Sequence, residues 1–512
     1  MLTEIADLRK TLEAARKALA EARWDASMDH LRGCEDWPIE IAEHAVLVHA
    51  DALTRRDAAT ALAWLAATQD IVDSEEARFE RELLTGRAYA NVRNFDAAAA
   101  RFERARLLVD RVENGGPRLA YHTARLRWFR QEAKPDDADM MLAITNPDPT
   151  GRAAAYSVRA WAYGSTFNFP AMIADLCSAL DTAEDVNYKC DVGTLAGIVH
   201  SLAQTAFETA HPEGLAVARR ACEGLRWTDD VRPARFKTLR ALGYDAFMRG
   251  DTARAQWLFR DASTAAPNPA YQTMAHLDRA YVARIGRNEA WALNELDDAL
   301  RIARGVAWGQ TFGEERVALV TLAVLLAPID PAEAQKYAAT YSLLGVESVA
   351  PSLALTKAPN FVAAERYALA RIAQTLGDRE SAQGNYLKAY SVFAEMGYHY
   401  QAMLVASAMA ELSGEAIWSE RTREHLAHYP GCPFSAQAPE NGLRNDPVLE
   451  SLTPLQRQLA RAHWSGMDVD QLSQRFSRSL YTVERHVADI YAAFGVTSAG
   501  GLRDQALSRG IA

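Results

Sequence analysis

Residues 239–269 read LRALGYDAFMRGDTARAQWLFRDASTAAPNP. Apolar residues recur in this stretch at helical spacing, and Leu242-Gly243, Gly250, Ala255, Phe259, Ala262 and Pro267 divide it into a pair of helices. Small residues at the Gly and Ala positions let the two helices of such a pair approach closely. The aromatic positions fill the gap to the next pair, so each unit needs a neighbour to bury what it cannot bury alone.

The same spacing returns in GRAYANVRNFDAAAARFERA, with Gly86, Tyr89, Phe95, Ala98, Phe102 and Ala105, and in LGDRESAQGNYLKA, with Gly377, Ala382, Tyr386 and Ala389. Fainter copies lie around Ala292-Leu296-Ala299 and in 43–72, 118–145, 152–183, 193–225, 312–345 and 399–428. The interval is a little under forty residues, which predicts about ten helix pairs between residues 1 and 428. This pattern resembles the tetratricopeptide repeat family. The resemblance implies an α-α superhelix whose concave face takes a peptide, a protein segment or a small-molecule effector. No repeat carries a clear Lys/Asn set for clamping a peptide carboxylate.

Composition sets the frame. Of 512 residues, 49% are hydrophobic and 24% charged, the balance of a folded globular chain with more than one folding unit. Cys34, Cys177, Cys190, Cys222 and Cys432 show no CxxC spacing and read as free thiols in a reducing cytoplasm. The longest apolar run, Val317 to Ile329, is too short to cross a bilayer and reads as a buried helix; no membrane contact is expected. The acidic start MLTEIADLRK lacks the basic region of a secretory signal. Trp24, Trp37, Trp64, Trp128, Trp161, Trp227, Trp257, Trp291, Trp308 and Trp418 fall mostly within helical patterns, and most of them read as core.

A search for chemistry finds no GxxxxGK[ST] loop and no GxGxxG turn. HLAHYPGC brings His425, His428 and Cys432 within metal-ligand spacing, but without a fourth ligand a zinc site is disfavoured. The chain is expected not to be an enzyme and to need no cofactor.

After Ala427 the helical rhythm stops. YPGCPFSAQAPENGLRNDP holds four prolines and two glycines, the composition of a linker, assigned to 429–451. The formal charge of the whole chain is -10, yet from Leu452 to Ala512 seven arginines face five acids. Only this tail is a candidate for meeting phosphates. Thr453 can cap a helix that begins with Pro454. In the third predicted helix Val483, Val487, Ile490 and Phe494 face inward with His486 on the same side, while Tyr481, Glu484, Arg485 and Ala488 face outward.

Leu452-Thr453-Pro454, a second helix from Val469 to Phe476, Thr482-Val483-x-x-His486, Phe494-Gly495-Val496 and a last helix from about Ser498 to Arg509 together resemble the LuxR/GerE-type helix-turn-helix domain. The resemblance implies an all-α chain in which a tetratricopeptide-like superhelix, 1–428, is followed by a small four-helix DNA-binding domain, 452–512. By that resemblance Glu484, Arg485 and Ala488 read bases, and Thr482 and neighbours hold the backbone; Tyr481, His486, Arg478 and Arg475 complete the candidate DNA-binding set. Arg485 has the fork that pairs with guanine O6 and N7, and Glu484 can accept from cytosine N4.

Several positions depart from the family: Leu455-Gln456 follows Leu-Thr-Pro, Asp470 and Ala493 stand where basic residues are common, and Arg478 where an apolar one is usual. The family's dimer contact is the last helix, so a homodimer is among the expected partners; Gly500-Gly501 weaken that helix by up to about 1 kcal/mol each relative to alanine. The implied function is that of a bacterial, cytoplasmic, nucleoid-associated transcription regulator, by family habit an activator. Its expected partners are double-stranded DNA, RNA polymerase and an effector in the repeat domain. The rival reading is a non-catalytic adaptor with a degenerate helix-turn-helix.

Overall fold

The computed structural model describes residues 2–184, 191–285, 288–308, 314–347, 359–432, 448, 451–464, 467–476 and 478–508. Every regular element among them is helical. In chain order the repeat segment runs α1 (Leu2–Ala20), α2 (Trp24–His30), α3 (Ile39–Arg56), α4 (Ala58–Ala67), α5 (Glu75–Asn91), α6 (Phe95–Arg106), α7 (Gly115–Arg130) and α8 (Ala138–Ala143). It continues with α9 (Pro149–Ser165), α10 (Phe169–Glu184), α11 (Val192–Glu208), α12 (Pro212–Gly224), α13 (Arg232–Met248), α14 (Thr252–Ala265), α15 (Pro269–Ile285) and α16 (Glu289–Ala303). Then follow α17 (Glu314–Leu326), α18 (Pro331–Glu347), α19 (Pro359–Leu376), α20 (Arg379–Glu395), α21 (His399–Ser413) and α22 (Ala416–Leu426).

These are eleven helix-turn-helix pairs among the described residues, one more than the spacing predicted. The additional pair is α1 with α2. Its second helix is only seven residues long, too short for a visible repeat. Short polar side chains set where helices begin: Asp57, Ser74, Asn94, Asp148, Asp251 and Asp378 each accept a hydrogen bond from a first-turn backbone N–H.

The repeat positions read from the sequence are core positions. Ala98, Ala105, Ala255, Ala262, Ala382 and Ala389 are buried, with Phe102, Phe259 and Tyr386 between them. Gly86 shows why one position must be small: a Cβ there would lie 2.7 Å from Cδ1 of Phe102. The apolar run from Val317 is a buried helix, with Leu319, Leu322, Leu325 and Leu326 in the core. No helix among the described residues is long and apolar enough to cross a membrane.

Two expectations need correction or restriction. Trp257 is not core: it is 61% exposed, on the outer side of α14, where Leu258 and Phe259 turn inward instead. Cys34, Cys177, Cys222 and Cys432 are free thiols, and Cys190 lies outside the described residues, as does 433–447 of the expected linker.

The chain divides into two compact units, Met1–Tyr244 with Val346–Ala358, and Asp245–Gly345 with Pro359–Ala512. In the first, the leading helix of each pair packs on the leading helix of the next, α3 on α5, α5 on α7, α7 on α9 and α9 on α11, making a continuous inner layer. This unit also closes on itself. Asp230 accepts from the backbone N–H of Trp24 at 2.7 Å, Thr228 donates to the carbonyl of Ala22 at 2.8 Å, and Arg55 donates to Asp191 at 2.7 Å.

The second unit has a closure of its own. Gly250 and Gly431 meet backbone to backbone, both at positive φ, and a Cβ on Gly431 would lie 2.7 Å from the carbonyl oxygen of Arg249. Only glycine combines that conformation with that approach. Beside them the Cys432 thiol faces the Met248 sulfur at 3.6 Å in the interior.

Candidate nucleic-acid interface

Four short helices end the second unit: α23 (Pro454–Trp464), α24 (Val469–Arg475), α25 (Leu480–Phe494) and α26 (Ala499–Ser508). Their starts are written in local sequence. Thr453 Oγ1 accepts from the Gln456 N–H while Gln456 Oε1 accepts from the Thr453 N–H, a reciprocal cap that also accounts for Gln456. Asp468 and Gln471 repeat the arrangement on α24, and Ser479 caps α25 through the Thr482 N–H.

One core joins the four helices. It contains Leu452, Leu459, Trp464, Leu472, Val483, Val487, Ile490, Phe494, Leu502 and Ala506. The inward stripe of α25 is the one expected from its spacing, and the opposite face carries Tyr481, Glu484, Arg485 and Ala488, all exposed, with Tyr481 at 74%. Gln456 Nε2 donates to Asp489 on the same helix at 3.2 Å, tying α23 to it.

The remaining candidates are placed less simply. Thr482 is half-buried and shares a hydrogen bond of 2.7 Å with Ser479, so its hydroxyl is engaged in the cap. His486 is half-buried, with a buried Nδ1 that has no hydrogen-bond partner among the described residues. Arg478 is exposed at the turn, where its carbonyl accepts from Ser473 at 2.7 Å. Arg475 is drawn inward: its Nη1 lies 3.5 Å from the Met467 sulfur and its guanidinium over the Phe476 ring at 5.5 Å. Burial raises the pKa of Asp297 on α16, and Arg475 is the opposing charge that acts on it most strongly. Of the candidate set, Tyr481, Glu484, Arg485, Ala488 and Arg478 are exposed, Thr482 and His486 are half-buried, and Arg475 is committed to neighbours.

Sequence reading did not single out His463. Its Nδ1 lies 2.6 Å from the Met467 carbonyl and its Nε2 2.5 Å from the Tyr491 hydroxyl. A carbonyl only accepts, so Nδ1 carries the proton and Nε2 accepts from the phenol. Burial raises the Tyr491 pKa, which keeps that phenol a donor. A lone histidine on an amphipathic helix gives no sign of this link.

The structure does not bring His425, His428 and Cys432 together as one group. The Cys432 thiol points to Met248, and the two histidines gather with His399 instead: His399 stacks on His428 with centroids 3.6 Å apart, and its Nδ1 lies 3.2 Å from that of His425. No group of side chains suited to a metal ion occurs among the described residues.

No family model matches the chain, and no curated protein matches it. Among solved structures, the apo form of the quorum sensor NprR from B. thuringiensis aligns with 76% of this chain and 99% of its own, at 12% identity and a TM-score of 0.40. The human IFIT1 dimer with m7Gppp-AAAA aligns with 86% of this chain and 92% of its own, at 14% identity and a TM-score of 0.34. Naa15/Naa10 bound to HypK-THB aligns with 98% and 96%, at 11% identity and a TM-score of 0.23. Likenesses of this size assign neither fold nor function. The chain's own helix packing establishes an all-α repeat architecture.

Proposed function

We propose that the chain is a DNA-binding transcription regulator in which the repeat helices receive a signal and the last four helices, residues 452–512, form a LuxR-type helix-turn-helix domain. The observation that carries this reading is the two-sidedness of α25. Val483, Val487, Ile490 and Phe494 anchor it to a small core, leaving Tyr481, Glu484, Arg485 and Ala488 outward on a helix of the length that enters a major groove. Arg485 supplies specificity by pairing with guanine. RNA polymerase is the downstream partner, the compartment is the cytoplasm, and a two-fold operator follows if the chain acts as a homodimer.

The outward face is nearly neutral, since Glu484 and Asp489 accompany Arg485. With few phosphates neutralised, affinity is expected to be modest and to fall only gently with salt. Selection of random duplexes by the full chain at low salt tests the reading. Enrichment of a short motif is expected, and Arg485→Ala should cost about 1–3 kcal/mol at one base position while binding at other positions is kept. Failure to enrich any motif at any salt concentration overturns it in favour of a protein-docking adaptor.

A further inference from the structure

The inner layer of the first unit holds more positive charge than its carboxylates neutralise. Arg55 on α3 donates to Asp51 at 3.1 Å and to Asp191 at 2.7 Å, and Arg87 on α5 shares Asp51. Asp51 is shared by both arginines, and Asp191 is divided between Arg55 and the Thr194 N–H. Arg125 on α7 stands near both arginines, with the phenol of Tyr121 as its hydrogen-bonding neighbour. Its guanidinium lies over the Phe129 ring at 5.1 Å, and Arg93 reaches the same ring at 5.4 Å. The Arg93 Nη1 is buried with no hydrogen-bond partner among the described residues. Neither Arg93 nor Arg125 forms an ion pair among those residues.

Two guanidiniums on one ring, one of them near Arg55 and Arg87, form a costly arrangement in a desolvated place. Burial lowers the pKa of Arg125 and of Arg93, and it lowers that of His122, which faces Arg87, Arg125 and Arg118, well below the free imidazole value. An uncharged imidazole adds no further repulsion. A planar fork with unfilled donors is the group that grips a carboxylate or phosphate in two-point fashion.

We propose that this inner face binds a small oxyanion, a carboxylate or phosphate group, held by Arg125 and Arg93 at Phe129, with Arg87 beside Arg125. The anion supplies the negative charge that the chain's own residues do not. In the regulator described above, occupancy of this face is the signal, so the regulatory consequence rests on that reading while the binding does not.

Calorimetric titration of the full chain at low ionic strength, with inorganic phosphate, citrate, a short acidic peptide and that peptide's C-terminal amide, tests the site. Saturable one-site binding of at least one probe is expected. Arg125→Gln and Arg93→Gln should each weaken it about tenfold or more, and Arg125→Lys, which keeps the charge and guards against a folding defect, should weaken it less. Preference for the free peptide acid over its amide assigns the anion to a peptide terminus; preference for phosphate or citrate assigns it to a small molecule. Absence of saturable binding by all four probes overturns the proposal. So does binding undiminished in both glutamine variants, which would be general salt binding. DNA selection reads the tail alone, so loss of either result leaves the other standing.

Discussion

The hydrogen-bonded pair of His463 and Tyr491 shows how one phenol can hold two helices in register. Tyr491 donates to Nε2 while Nδ1 donates to the Met467 carbonyl, so a single imidazole links α23, the turn before α24, and α25. Tyr491→Phe removes the donor and leaves a ring nitrogen of the buried His463 without a partner. A loss of about 1–3 kcal/mol is expected, confined to the last four helices. Hydrogen exchange localised to α23–α26 checks this; unchanged protection there would mean that water replaces the phenol without cost.

At the scale of an element, the three histidines where α21 begins and α22 ends form a pH-dependent joint. His399, His425 and His428 face one another, with Tyr390 donating to or accepting from His425 at 3.2 Å and with Arg421 and Glu424 as the charged neighbours. Burial first, and the other two imidazoles next, lower His399 to about 4, and burial lowers His425 as well. The unfolded chain takes up these protons near pH 6.5, before the folded one does. The joint is therefore fully stabilising above about pH 6.5 and loses that contribution as pH falls toward 4. Urea midpoints at intervals across this range should fall less steeply in His399→Gln than in the parent chain. Equal slopes would show that the imidazoles ionise freely in the fold.

At the scale of the whole molecule, each compact unit is closed by contacts between segments far apart in the chain. In the first unit Asp191 has two tasks: it accepts from the Thr194 N–H at 2.7 Å, capping α11, and it holds Arg55 of α3. Asp191→Asn keeps a capping oxygen and removes the charge, which isolates the second task. Arg55 retains Asp51, so a loss of about 1–3 kcal/mol is expected. Hydrogen exchange should rise together in α1–α3 and α11, with α25 unchanged. A rise in α11 alone would reduce the contact to a local cap.

The local patterns of this chain were enough to locate ten of its helix pairs, and missed α1 with the short α2. Alternation of small and aromatic residues at Gly86, Ala98, Phe102 and Ala105 encodes close helix pairing, because the cost of a misplaced side chain is felt within one repeat. The inward stripe of α25 was equally legible, since a helix of fixed period leaves its apolar residues one face to occupy. Only the tertiary structure decided which distant side chains meet: Cys432 with Met248 instead of His425, Arg475 beside Asp297, Asp191 with Arg55, and Arg93 with Arg125 over Phe129. Charge and hydrogen-bond partners depend on how successive repeats turn against one another, and small rotations accumulate over many pairs. That accumulation is a property of the assembled stack and is written in no single repeat.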